Sequence, residues 1–240
     1  MQIPRAGSVL SRAGHAVIRL SVAPPSMSKQ EHIPQPAIRR LSLYLRQFEI
    51  IQATDRQTVS SKQLGAALGI SDAQIRKDLA YFGQFGHPGI GYRVPEMIAR
   101  LRRILGTDRK SNVMLIGAGN LGRALLSYKG FANKGFEIVA VFDNNRSLIG
   151  QAVGPKNSPP IRHVSEMTET VRARSIRLAI LAVPGPNAQT AADQIVESGV
   201  RAILSFAPCT LRVPTTVAVS SVDLSVQLEQ LAFQLSCAMP

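Results

Sequence analysis

The ten residues Val113–Gly122 read VMLIGAGNLG, an apolar run of strand character that passes directly into Gly117-x-Gly119-x-x-Gly122. RALLSY follows with helical character. A glycine triad of this spacing is specific only where it ends a strand and opens a helix, and here it does both. The first glycine permits the tight turn, the second lets a pyrophosphate reach the backbone, and the third lets helix and strand pack closely. The helix start turns its N–H groups and partial positive charge toward the phosphates. Gly117, Ala118, Gly119, Asn120, Leu121 and Gly122 are therefore candidate nucleotide-binding residues. A glycine turn that packs a helix on a sheet without any ligand is the alternative.

Toward the C-terminus, EIVAVFD reads as the second strand and ends at Asp143, about twenty residues beyond the last glycine, as the dinucleotide fingerprint requires. A carboxylate there accepts hydrogen bonds from the adenosine ribose hydroxyls and repels a 2′-phosphate, so NAD(H) is favoured over NADP(H). Arg146 stands close enough to blur that preference. LAILAVP and RAILSFAP read as later parallel strands, with the helical NAQTAADQIVESG between them. Their carboxyl ends border the cofactor crevice, which makes Pro184 and Phe206 candidates for the nicotinamide side, with ordinary turn packing as the alternative. Beyond the sheet, VDLSVQLEQLAFQLS sets Leu224, Leu228, Leu231 and Leu235 on one stripe. Such a helix seeks a partner surface or packs back on its own domain.

Toward the N-terminus the chain turns basic. Its formal net charge is +13, from 28 Lys and Arg against 15 Asp and Glu, which points to a polyanionic partner or an acidic membrane surface. Residues 34–110 hold 13 basic and 6 acidic side chains, whereas residues 111–240 hold 11 and 8, so the excess belongs mainly to the first half. Within it, AIRRLSLYLRQFEIIQ (37–52) spaces Ile38, Leu41, Leu45, Phe48 and Ile51 as one helical stripe, with Arg39, Arg40 and Arg46 on the outer face. Ser60 and Ser61 supply cap residues for the helix KQLGAALG, Gly69 ends it, and Ser71 or Asp72 starts another. Two short helices joined by a glycine turn make a helix-turn-helix.

On the second of these helices Ile75, Leu79 and Phe82 form the core side, opposite Ala73, Gln74, Lys77, Ala80 and Tyr81, with Arg76 on the flank. Two alanines let the backbone approach closely, glutamine pairs with an adenine edge, and Lys or Arg reaches guanine or phosphate. GQFGHPGIGYRV then reads as a β-hairpin wing. Candidate DNA-binding residues are Ser60, Ser61, Gln74, Arg76, Lys77, Tyr81, Gly91 and Tyr92. A merely solvated basic face is the alternative.

Other classes find less support. Cys209 and Cys237 match neither a CxxC pair nor a zinc ribbon, so no metal is expected and a reduced, cytoplasmic setting is. No run of eighteen apolar residues is present to span a membrane. His15 and His32 fall in or beside the basic N-terminal stretch, His87 in the wing and His163 in an irregular stretch between strands. None supplies the proton donor a dehydrogenase needs, and no substrate domain remains to be assigned, so no catalytic residue is expected. Residues 1–33 carry Arg5, Arg12, Arg19 and Lys29 with no acid before Glu31. They read as a disordered basic tail or an over-long start ahead of Met27, with a faint likeness to an organellar transit peptide.

RRLSLYLR, VSSKQLG, QIRKDLAYFGQFGHPGIGY, GAGNLGRALLSY, GFEIVAVFD, AVP, FAP and VDLS occur in this order between about Ile33 and Phe233. In these blocks the chain resembles the Rex family of redox-sensing transcriptional repressors. The resemblance implies an α/β fold: a winged helix-turn-helix domain, a Rossmann-like parallel-sheet domain related to CoA-binding folds, and a homodimer with an exchanged C-terminal helix. The corresponding division is 1–33 tail, 34–110 DNA-binding domain, 111–215 NAD(H)-binding domain and 216–240 dimerisation helix. It further implies that NADH and NAD+ act as effectors, with inverted-repeat operator DNA bound when NADH is low and released when NADH binds. By motif position the family's switch residues are Arg46, Tyr128 and Asp223, with Asp223 exchanging between Arg46 and Tyr128 across the dimer. Three departures stand out: Asn145 where a second acid is common, Ala80 where Ser is frequent, and Ser205 where Asn is frequent. The alternatives are an NAD-dependent oxidoreductase with a basic appendage and a regulator responding to CoA or another nucleotide.

Overall fold

The computed structural model describes residues 33–86 and 89–238. The expectations for the basic tail, for Met27 and for His15, His32 and His87 fall outside the described residues.

Helix α1 (Gln35–Gln52) buries Leu41, Leu45, Phe48 and Ile51 of the predicted stripe together with Ala37 and Tyr44, while Ile38, at its first turn, is only half-buried. A two-residue strand β1 (Thr58–Val59) leads to α2 (Ser61–Leu68) and α3 (Asp72–Ala80). Ser60 closes a capping box: its Oγ accepts from Gln63 N at 3.2 Å while Gln63 Oε1 accepts from Ser60 N at 3.0 Å. Gly69 ends α2 in the left-handed region, φ +66°, and Ser71 caps α3. The helix-turn-helix therefore stands where the caps place it. Strand β2 (Tyr92–Arg93) pairs antiparallel with β1, Val59 opposite Tyr92, and runs straight into α4 (Val94–Ile104), which packs along α1.

The expected hairpin wing takes a different form. Residues 83–86, 89 and 90 form no strand, Gly91 makes a single β-bridge, and the strand that ends the loop pairs back across α2 and α3 to β1. Gly91 makes that return possible: its φ is +87°, and a Cβ there would lie 2.6 Å from Val59 O. The wing is a glycine loop anchored by one short strand pair.

The second core is a six-stranded, all-parallel sheet of β3 (Ser111–Ile116), β4 (Phe136–Asp143), β5 (Ile161–His163), β6 (Leu178–Leu181), β7 (Ala202–Ser205) and β8 (Ala218–Ser221). Its spatial order, β5-β4-β3-β6-β7-β8, reverses direction between β3 and β6, the doubly wound arrangement whose crevice receives ligands. Met114, Ile116, Ala140 and Phe142 share one core with α7 (Met167–Ala173) and α8 (Gly185–Glu197). Val113, Leu115 and Val141 share another with side chains of α5 (Asn120–Leu126) and α6 (Lys129–Asn133). Burial on both faces explains the uninterrupted apolar run of β3. Two sequence expectations are corrected: His163 ends a strand, and the sheet continues to Ser221, past the boundary placed at 215.

The last helix, α9 (Leu224–Ala238), stands apart. Leu224, Leu228, Leu231, Phe233 and Leu235 are each between 55% and 69% exposed. Burying a large apolar side chain contributes about 1.5–3 kcal/mol, so α9 forgoes that gain five times over within the single chain. It does not pack back on its own domain.

Candidate functional site

The glycine turn differs in character at each of its three glycines. Gly117 leaves β3 at φ +95°, and a Cβ there would meet Ala182 O at 2.4 Å. At Gly122 a Cβ would lie 2.0 Å from Gly117 O. Packing of α5 and β6 against the turn demands both. Gly119 has nothing within 4 Å of its would-be Cβ, so it is the glycine that faces open space. That is the position a diphosphate needs clear.

A cleft of about 460 Å³ opens there, at the carboxyl ends of β3, β4 and β6, lined by Gly117, Gly119, Asp143, Asn145, Pro184 and Gln194 among others. Asp143 ends β4 and reaches across the turn: its Oδ2 accepts from Ala118 N at 2.8 Å and its Oδ1 from Asn145 N at 2.9 Å. Each oxygen keeps a further lone pair for a ligand hydroxyl. Arg123 braces the same turn, Nε donating to Ala118 O at 3.0 Å. The first-turn N–H groups of α5 have no carbonyl partner within the helix. An open glycine, unpaired N–H donors and an oriented carboxylate fit a pyrophosphate joined to a ribose diol. Asn120 and Leu121 form the first turn of α5, and Pro184 heads α8 at the cleft wall. Phe206 lies elsewhere, packed against the core of Val113, Leu115 and Ile180, and does not line the cleft.

On the helix-turn-helix, Lys77 and Ala80 are exposed, and Tyr81 follows α3 half-buried. Arg76 Nη1 donates to Ser61 Oγ at 2.9 Å and to Asp72 at 2.7 Å, which ties the two helices at their outer edge. Ser60, Arg76, Ala80, Gln84, Gly86 and Ile90 border a groove of about 570 Å³ between α3 and the glycine loop. Tyr92 departs from the expectation: only 6% exposed, it sets its ring edge-on to Phe48 at 6.2 Å. Its side chain serves the core, because β2 alternates and this residue faces inward.

Arg40 departs as well. It leaves the outer face of α1 to meet Asp78, which is completely buried on α3. Arg40 Nε and Nη2 donate to the carboxylate at 2.5 and 2.8 Å, Tyr44 Oη donates at 2.6 Å and Gln74 Nε2 at 2.7 Å. Burial pushes the Asp78 carboxyl up, but the hydrogen bonds from Arg40, Tyr44 and Gln74 outweigh it and hold it below its ordinary range. Burial and the bond to Asp78 raise the Tyr44 phenol, which stays a donor. Asp78 is absent from the sequence-based set of sites. The signal for it is an acid at the apolar spacing, between Ile75 and Leu79.

Arg46, Tyr128 and Asp223 stand separately. Arg46 is exposed on α1, and Tyr128 is 59% exposed with its ring edge-on to Phe131 at 5.0 Å. Asp223 heads α9, its Oδ1 accepting from Ser225 N at 2.9 Å. Among the described residues no hydrogen bond joins the three. One turn beyond Arg46, Glu49 accepts from Arg102 at 3.0 Å and from Lys134, tying α1 to α4 and to the end of α6. Burial pushes the Glu49 carboxyl up, and these two cations more than reverse the shift.

Residues 108–209 match a family model described as a CoA binding domain, and residues 32–80 one described as a putative DNA-binding protein N-terminus. A protein of Carboxydothermus hydrogenoformans, named redox-sensing transcriptional repressor Rex, is 44% identical over 203 residues, 85% of this chain and 96% of that one. The chain belongs to the Rex family. A second Rex, of Pelotomaculum thermopropionicum, is 46% identical and covers 85% of this chain and 94% of its own. Among solved structures, the Rex-family repressor RSP in complex with β-NAD+ and operator DNA superposes with a TM-score of 0.80 at 36% identity, over 85% of this chain and 92% of that one. RSP in complex with β-NADH gives 0.76 at 35%, over 85% and 94%. Rex relatives are regulators, and the chain's helix-turn-helix and glycine cleft are the two parts such a regulator combines.

Proposed function

We infer that this chain is a DNA-binding transcriptional repressor that senses the NADH/NAD+ ratio, holding inverted-repeat operators when NADH is low and releasing them when NADH binds. The observation that carries this is the pairing, in one Rex-family chain, of an open dinucleotide cleft at Gly119 and Asp143 with a capped helix-turn-helix. The complexes of RSP with NAD+ and operator DNA, and with NADH, point to the ligands. The chain is a regulator rather than an enzyme, as its Rex relatives are.

In this reading Gly117 to Gly122 and Asp143 hold the dinucleotide, with Pro184 on the cleft wall. Ser60, Ser61, Gln74, Arg76, Lys77 and Tyr81 face DNA, and Gly91 shapes the loop beside it. Two chains form the homodimer, each giving α9 to the other, so that the two copies of α3 meet two operator half-sites about one helical turn apart. A ligand can release DNA only by binding the released arrangement more tightly than the DNA-bound one. Arg46, Tyr128 and the partner's Asp223 supply two arrangements that differ in which group the carboxylate meets. No helix among the described residues is long and apolar enough to cross a membrane. The protein acts where its operator lies, in the cytoplasm.

Asp143→Ala tests the cofactor assignment. Charge-assisted hydrogen bonds contribute about 1.5–3 kcal/mol each, so NADH affinity, followed by NADH fluorescence, should fall at least about tenfold. Retention of DNA without NADH should remain. Unchanged NADH affinity in this variant removes Asp143 from the site.

A further inference from the structure

Gln74 is a half-exposed residue in the first turn of α3, the part of a recognition helix that meets base edges in helix-turn-helix proteins. A glutamine there has two orientations, one with its carbonyl outward and one with its amide outward, and they read different bases. An ionised carboxylate only accepts hydrogen bonds, and the Asp78 carboxylate receives Gln74 Nε2 at 2.7 Å. The choice is therefore fixed by chemistry: Nε2 turns inward and Oε1 turns out. One N–H of the amide remains for a ligand beside that carbonyl.

Asp78 is itself held rigidly. It is fully buried and takes four donors, two from Arg40 and one each from Tyr44 and Gln74, so the carboxylate is fixed to α1 as well as to its own helix. Among the described residues no buried side-chain polar atom lacks a partner, and turning the carboxylate away would leave buried donors unpaired.

We propose that Asp78 is a positioning residue for DNA reading, which locks Gln74 to present one acceptor and one N–H to the N6 and N7 edge of an adenine in each operator half-site. Gln74 is the specificity-determining contact, and the Arg40–Asp78–Tyr44 network is its mount. This rests on the DNA-binding reading given above. Glutamine pairs bidentately with adenine through these two atoms, and such a pair separates right from wrong base by roughly tenfold or more.

The test is selection of bound duplexes from a random-sequence library by the full-length native protein, Gln74→Leu and Asp78→Asn, followed by 7-deazaadenine substitution at each selected adenine. The native protein should select a half-site containing one adenine at which loss of N7 weakens binding roughly tenfold. Gln74→Leu should lose preference at that position and keep the rest of the consensus. Asp78→Asn, checked by thermal unfolding, should lose the same position, since Gln74 is then free to turn. A folded Asp78→Asn that keeps the native preference at that position overturns the positioning role; should Asp78→Asn fail to fold, Tyr44→Phe, which removes one of the four donors that hold the carboxylate, is read for the same loss. A Gln74→Leu consensus identical to the native one at every position, or an equal loss of affinity for all sequences, overturns the proposal. If the native protein selects no sequence at all, the DNA-binding reading itself fails.

Discussion

Replacing Leu228 and Leu231 together with glutamate should convert the protein from dimer to monomer and reduce operator affinity by on the order of a hundredfold or more. Both side chains lie on α9, 67% and 55% exposed in the single chain, within a run that also leaves Leu224, Phe233 and Leu235 in water. Each contributes about 1.5–3 kcal/mol when buried, so a partner surface covering them, as proposed above, would be a large part of what holds two chains together. Two charges forced into that surface would be desolvated without partners. A monomer offers one recognition helix and forgoes the gain of engaging two half-sites at once. Sedimentation measures the first effect and DNA retention the second. A dimer of native stability in this variant would mean that α9 is not the interface.

Gly119→Ala and Gly122→Ala should fail in opposite ways. At Gly122 the new methyl would lie 2.0 Å from the carbonyl oxygen of Gly117, a backbone atom that cannot turn aside. Overpacking of this kind costs about 1–3 kcal/mol or more, and a chain of this size loses roughly 2–4 °C of melting temperature per kcal/mol. Gly119 has nothing within 4 Å, so alanine there should leave thermal unfolding unchanged. Its methyl nevertheless enters the space a diphosphate occupies, and NADH binding should weaken by at least about tenfold. Thermal unfolding and NADH fluorescence on both variants separate the two roles. A Gly119→Ala protein that binds NADH as tightly as native would show that the diphosphate lies elsewhere.

Much of this was legible because the deciding signals are local. The glycine triad, the cap serine at Ser60, the stop at Gly69 and the leucine stripe of α9 each sit within a few residues of the element they specify. What escaped depends on distant partners or on very short elements. Asp78 reads as one more charge on a basic helix until Arg40, 38 residues earlier, turns inward to meet it. β5 has three residues and β8 is wholly exposed, so neither carries an apolar pattern of its own. The wing misleads for a related reason: its return strand has two residues, and its partner lies before α2. α4 is different, since Val94, Met97, Ile98 and Leu101 carry a plain helical spacing, hidden only by the strand-like GYRV that runs into it. At the nucleotide site the residue types were readable, but the tie between Asp143 and Ala118 N across the turn was not.

Coupling between the cleft and the recognition helix is the central claim, and one titration reaches it directly. The native dimer is bound to a fluorescent duplex carrying its selected operator, and NADH or NAD+ is added at fixed salt, because phosphate contacts make the affinity steeply salt-dependent. NADH should release the duplex at concentrations where NAD+ leaves it bound. Equal release by both nucleotides, or retention of DNA at saturating NADH, would contradict it.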